Sequence, residues 1–165
     1  MSLRRLMRHL LWPDWWALRA FPKAALGRLE QAINVAEHGH RGELRVVVEA
    51  GLPVYRLLSG QTARARAIEL FSRLGVWDTE HNSGVLVYVQ LLDRRVEIVA
   101  DRGINDRVGE AFWSGVCRRM ETAFRDGDFE GGSVQALNEI AAALVEHFPA
   151  AGDNPDELPN TPVLL

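Results

Sequence analysis

The chain has 165 residues, 47% of them apolar and 25% charged, and a formal charge of −3 at pH 7. That length suits one domain burying its own core, and the composition excludes a disordered chain. The single cysteine, Cys117, excludes an internal disulfide and a multi-cysteine zinc site. The acid excess argues against nucleic acid, whose phosphates require a basic surface.

Charge is uneven along the chain. Residues 1–28 hold Arg4, Arg5, Arg8, Arg19, Lys23 and Arg28 against Asp14 alone, a net +5 that leaves −8 on the rest. Leu3, Leu6, Met7, Leu10 and Leu11 recur at helical spacing, with the arginines elsewhere on the wheel. Trp12, Trp15 and Trp16 follow. The apolar run breaks at Pro13-Asp14 without a small-residue cleavage site, so it does not read as a secretory signal. No stretch approaches the roughly 20 apolar residues that span a bilayer. Two readings of residues 1–21 stand. The arm packs its Leu and Trp on the body, or its Arg4, Arg5, Arg8, Trp12, Trp15 and Trp16 meet a membrane or a partner.

Pro22 suits a first helical turn, and Leu26, Leu29 and Ile33 stripe a helix over residues 23–38. Leu44, Val46, Val48 and Ala50 alternate with Arg45 and Glu49, the period of a strand. A further strand in 52–58 is opposed by Pro53. Residues 61–74 read as a helix with Ala67, Ile68, Phe71 and Leu74 on one face. A polar loop from Trp77 to Ser83 leads into the continuous apolar run 85–91, the pattern of a strand buried on both faces. Asp93-Arg94 turns the chain into a returning strand over 95–100, and 101–105 reads as a turn. A helix over about 108–124 points Trp113, Val116 and Met120 inward, and one over about 129–147 does the same with Leu137, Ile140, Ala141 and Leu144. Asp128 is the expected N-cap of the latter. Residues 149–165, rich in Pro, Asp and Asn, read as a flexible acidic tail.

A helical crossover makes the first two strands parallel, with right-handed connection. The expected fold on residues 22–148 is a three-layer α/β/α sandwich, with a small mixed sheet of three to four strands and a β-α-β-β core flanked by helices. This topology brings Glu43, Glu80, Asn82 and Asp101 to one sheet edge, with His38, His40, Asp78, His81 and Asp106 near them. Carboxylates with an amide oxygen suit Ca²⁺ or Mg²⁺, and paired carboxylates suit acid–base work. Asn and Asp in such loops also bond backbone, so three uses of the edge remain open.

Other signals are weaker. No Walker A loop, dinucleotide fingerprint, nucleophile elbow or HExxH occurs. Residues 126–131 imitate the start of an EF-hand loop, but Leu137 stands where the bidentate Glu belongs. Cys117 reads as a buried inert thiol and Trp77 as a packing anchor.

The segment from Ala63 to Val108, ARARAIELFSRLGVWDTEHNSGVLVYVQLLDRRVEIVADRGINDRV, carries a resemblance. A helix ending before Trp77, Asn82-x-Gly84-Val85-Leu86, Asp93-Arg94 with Val96-Glu97-Ile98, Gly103, and Phe124-Arg125-x-Gly127-Asp128 together resemble the TPM domain family. That family is named from thylakoid, Psb and MOLO-type members. The similarity spans roughly residues 23–148 and implies an α/β sandwich. It also implies links to divalent-cation binding, phosphatase-like activity, and assistance to membrane complexes. A LemA-like membrane protein is the implied partner. Many members carry a signal peptide and a spanning helix, and this chain shows neither. Where many have a Gly-Tyr-Gly-type turn, this chain has Asp101-Arg102-Gly103. Asn82 and Gly103 carry over as motif positions.

The expected function is a non-catalytic accessory module in the cytoplasm, peripheral at the inner face of the membrane when docked. The alternative is a metal-dependent phosphatase-like hydrolase using Ca²⁺ or Mg²⁺ held by Glu43, Glu80, Asn82 and Asp101.

Overall fold

The computed structural model describes residues 3–11, 15–150 and 157–165. Helices α1 (Leu3–Leu11), α2 (Trp15–Ala20) and α3 (Lys23–Glu37) precede strand β1 (Leu44–Glu49). Helices α4 (Val54–Leu58) and α5 (Ala63–Arg73) lead to β2 (Val85–Gln90). Then come β3 (Arg95–Ala100), α6 (Arg102–Val108), α7 (Glu110–Arg125), α8 (Phe129–His147) and β4 (Val163–Leu164).

The sheet order is β3-β2-β1-β4. Val46 pairs with Val87 in the parallel β1–β2 ladder, and Val87 pairs with Ile98 in the antiparallel β2–β3 ladder. Every residue of β1 and β2 is buried, because helices cover both faces of these central strands. On one face Val46, Val48, Val87 and Ile98 pack with Leu29, Ile33, Trp113, Met120, Leu137 and Leu144 from α3, α7 and α8. On the other, Val47, Leu86, Tyr88 and Val99 meet Ala67 and Leu70 of α5. The three-layer α/β sandwich expected from the element order is the observed architecture.

Local chemistry sets the element ends. The Thr62 hydroxyl accepts from the Ala65 N–H at 3.1 Å and starts α5, and the Asp128 carboxylate accepts from the Gly131 N–H at 2.8 Å and starts α8. The β2–β3 turn puts Arg94 at φ +54°.

The structure corrects four expectations. Residues 54–58 are helical, with Pro53 at the N-cap where its fixed φ is an asset. The turn after β3 is the short helix α6, capped by Asp101. On α5 the inward position belongs to Arg66, 5% exposed, while Ile68 is half exposed. Arg66 is inside because Glu49 of β1 is there to meet it.

The fourth correction concerns the tail. Residues 157–165 are not free. β4 pairs parallel to β1, Val47 opposite Val163. The Leu165 N–H donates to Val48 O at 2.9 Å, and the Ala50 N–H donates to Leu165 O at 3.0 Å. A buried strand edge needs partners for its main-chain groups, and two residues suffice here. An acidic, Pro-rich composition conceals so short a strand.

Candidate functional site

The edge at the start of β1 and β2 assembles as the topology required. The Val85 N–H donates to Glu43 O at 2.8 Å, and the Asp101 N–H donates to Gly84 O at 2.9 Å. The four predicted ligands therefore share one end of the sheet. Their side chains have separate occupations.

Glu43 is 1% exposed, and its carboxylate accepts from the N–H groups of Glu157 and Leu158, both at 3.2 Å. It anchors the returning tail. The Glu80 side chain is 80% exposed and lies 3.8 Å from the His81 imidazole, while its N–H donates to the Glu157 carboxylate at 3.2 Å. Asn82 takes a left-handed φ of +51°, a conformation Asn tolerates better than most residues. Gly103 packs against that turn so closely that a Cβ would come within 2.6 Å of the His81 and Asn82 carbonyl oxygens. The two family motif positions thus have a shared backbone reason.

Asp101 is 8% exposed. Its Oδ1 accepts from the Arg102 N–H at 2.7 Å to cap α6, and its Oδ2 is buried without a hydrogen-bond partner among the described residues. That one oxygen is the best case for a cation, and it stands alone. Among the described residues no three His, Cys, Asp or Glu side chains gather closely enough to hold a metal. A divalent cation needs six or more oxygens, or six near-octahedral ones for Mg²⁺. These residues do not fit a resident divalent cation. Nearby His40 is fully buried, accepts from the Gly42 N–H at 3.3 Å, and is shifted down by that burial.

The opposite end of the sheet holds what sequence reasoning missed. Asp93 in the hairpin turn receives Arg5 (Nε 2.9 Å, Nη2 2.6 Å) and His9 (Nε2 3.1 Å) from α1. The other His9 nitrogen, Nδ1, accepts from the Leu52 N–H at 2.9 Å, which fixes the proton on Nε2. Arg8 donates to Leu92 O at 2.9 Å, and Arg5 also reaches Gln61 O at 3.3 Å. The polar face of α1 is therefore turned inward. Its apolar face is turned out: Met7, Leu10 and Leu11 are 46%, 54% and 70% exposed. α1 lies against α4, where Val54, Tyr55 and Leu58 are exposed too. Trp12 lies outside the described residues, as do the side chains of Arg4, Trp15 and Trp16.

The described part of the arm departs from both expectations only at Arg5, Arg8, Met7, Leu10 and Leu11. Arg5 and Arg8 meet the body, and Met7, Leu10 and Leu11 meet solvent. The physical reason is the hairpin turn, which offers a carboxylate and carbonyl oxygens that a guanidinium fork bonds well. At the same end of β1, the Arg66 guanidinium meets the Glu49 carboxylate at 2.9 and 3.1 Å, and the Tyr88 hydroxyl donates to the same carboxylate at 2.5 Å. Burial beside Glu49 drives the Tyr88 phenol far above its ordinary value. Trp77 is not a packing anchor: it is about half exposed, and its indole N–H donates to Ser72 O at the end of α5. Cys117 is partly buried, and burial pushes its thiol up to about 11, consistent with an inert thiol. Among the described residues, no helix is long and apolar enough to cross a membrane.

The family model of the TPM domain matches residues 19–143. The NMR structure of the BA42 protein from the psychrophilic bacterium Bizionia argentinensis is similar, with 32% identity and a TM-score of 0.75. That match covers 86% of this chain and 93% of that one. The N-terminal domain of a protein from P. gingivalis shares the fold at 18% identity and a TM-score of 0.63, covering 84% of this chain and 94% of that one. No curated protein matches the chain. The match to the family model and the likeness to BA42 agree with the α/β sandwich, and the chain belongs to the TPM domain family.

Proposed function

We propose that this chain is a non-catalytic accessory module of TPM type that docks on a membrane and assists a membrane protein there. The observation that carries the reading is the outward apolar face of α1, continued by α4. Met7, Leu10 and Leu11 stand clear of the body while Arg5, Arg8 and His9 hold the helix in place. An interfacial helix needs that orientation, with its apolar face free to enter the acyl boundary. A LemA-like membrane protein is the partner that the family resemblance implies. The docked chain is then peripheral on the cytoplasmic side.

The hydrolase alternative has no comparable support. It requires a cation at the start of the sheet, where Glu43 holds the tail and Asp101 caps α6.

Vesicle co-sedimentation of the full chain tests the proposal. Fully burying a leucine contributes about 1.5–3 kcal/mol. The double variant Leu10→Glu with Leu11→Glu is therefore expected to bind phosphatidylcholine–phosphatidylglycerol vesicles at least ~10-fold more weakly. Both positions are exposed, so the fold and melting temperature should hold. Unchanged partition of that variant removes the α1 face from the mechanism.

A further inference from the structure

The sheet has one open side. β4 covers the outer edge of β1, and no strand covers β3 among the described residues. β3 alternates its main-chain groups between inner and outer sides. The Asp101 N–H bonds inward to Gly84 O, so Val96, Ile98 and Ala100 present theirs outward. A cavity of about 460 Å³ opens along this edge between α5 and α7. That size lies within the range of about 300–1,000 Å³ seen for ligand sites.

Side chains already occupy several outward groups, the Cys117 sulfur among them at the Ile98 N–H. The Glu121 carboxylate accepts from the Val96 N–H at 3.2 Å, where a peptide carbonyl would sit. The Arg64 guanidinium donates to Ile98 O, where a peptide N–H would sit. Both side chains reach solvent. Arg64 is 50% exposed and Glu121 is 23% exposed. Their other ion-pair contacts in the groove are long: Arg64 to Glu97 and Arg95 to Glu121 are both 3.9 Å. Edge strands are often blunted by charge in this way, and blunting alone does not call for a cavity.

The far wall gives the groove a polarity. Glu110 and Arg118 of α7 line it and have no ion-pair partner among the described residues. Eight residues of helix separate them by roughly 12 Å, close to the roughly 13 Å that four strand residues span. α7 runs opposite to β3. Its first turns lie beside Asn105, which takes the Trp113 N–H at 3.0 Å, and its later turns lie beside Val96.

We propose that this groove takes an extended segment of a partner protein as a fifth strand. The segment runs antiparallel to β3, with a basic side chain toward Glu110 at its N-terminal end and an acidic one toward Arg118 at its C-terminal end. Main-chain bonds to Val96, Ile98 and Ala100 give the affinity, and the two charges set direction. The segment displaces Glu121, Arg64 and the Cys117 sulfur, which faces the Ile98 N–H, from the edge, and Glu121 and Arg64 remain close enough to meet its side chains.

The test uses the full chain and a fluorescein-labelled, end-blocked probe, Lys-Val-Thr-Val-Asp. Saturable polarisation change is expected, with amide shifts centred on Val96, Ile98 and Ala100. The swapped peptide Asp-Val-Thr-Val-Lys should bind at least ~10-fold more weakly, since each lost or reversed charge contact to a carboxylate or guanidinium counts for about 1.5 kcal/mol or more. A probe N-methylated at its strand-facing amides should lose binding, because it cannot donate to the edge. The exposed pair Glu110→Lys with Arg118→Glu should reverse the preference between the two peptides. Three results overturn the proposal: no shift at the three amides with millimolar probe, equal binding of the N-methylated probe, or sedimentation showing that β3 is already paired with a second copy.

Discussion

At the start of β1 and β2 the carboxylates face backbone; at the finish they face arginines. Glu43 and Asp101 accept from main-chain N–H groups of the tail and of α6. Glu49 and Asp93 accept from side chains of α5 and α1. Both ends are rich in acid, yet the consequences differ. A carboxylate held by backbone fixes the course of a main-chain segment, the tail at Glu43 and the start of α6 at Asp101. A carboxylate held by a guanidinium couples two elements, and either partner's loss leaves a charge behind. At the first end Glu43 and Asp101 already hold main-chain groups, and the second end, expected only as a chain reversal, is where an outer helix is fastened.

The largest expected effect breaks the second end. Arg66→Met leaves Glu49 3% exposed with only the Tyr88 hydroxyl for company. Removing one partner of a buried pair costs about 3–5 kcal/mol. Thermal unfolding should show the loss, and Glu49→Gln placed on top of it should recover much of it, since the orphaned charge is then gone. A double variant no more stable than Arg66→Met would mean that the pair is not the coupling element.

A smaller effect sharpens the first end. Glu43→Gln keeps one acceptor and leaves one of the Glu157 and Leu158 N–H groups unmet. An unmet buried donor costs about 1–3 kcal/mol. Amide exchange should rise at Leu158 and Leu165, with β2 and β3 unchanged. Equal loosening across the whole sheet would place Glu43 in the core's support instead of the tail's.

The same contrast explains what could be read beforehand. The runs 44–49, 85–90 and 95–100 are legible by apolar alternation or continuity, and helices α3, α5, α7 and α8 by their stripes, because burial of apolar groups writes a period into the sequence. Edge geometry follows from topology, which is why Glu43, Asn82 and Asp101 are expected at the end of the sheet where Glu43 O takes the Val85 N–H and Gly84 O takes the Asp101 N–H. What carried no signal was partner choice. Arg66 occupies a core position on α5 because Glu49, 17 residues earlier, awaits it, and no period marks a salt bridge. The arm's wheel was readable as amphipathic, but which face turns inward depended on Asp93, 88 residues from Arg5. β4 spans two residues, too few for alternation to register.

The smallest expected effect concerns that arm and has a pH signature. Burial alone would raise the Asp93 carboxyl, but hydrogen bonds from His9 and Arg5 outweigh it and hold the group at about 2, below the ordinary ~3.9. A depressed folded value means that the contact contributes fully above the unfolded value and is lost as pH falls toward the folded one. The window is therefore pH ~4 down to ~2. The Leu52 amide proton, bonded to His9 Nδ1, reports α1 docking directly. Its resonance should move across that window while amides of β1 and β2 hold still. Asp93→Asn should show the released position already at pH 7 and respond little to acid, at a stability cost of about 1 kcal/mol or less, as for a partly exposed ion pair. A Leu52 resonance that stays fixed in both experiments would show that Arg8 and the α4 contact alone fasten the helix, and the two ends of the sheet would then differ less than their carboxylates suggest.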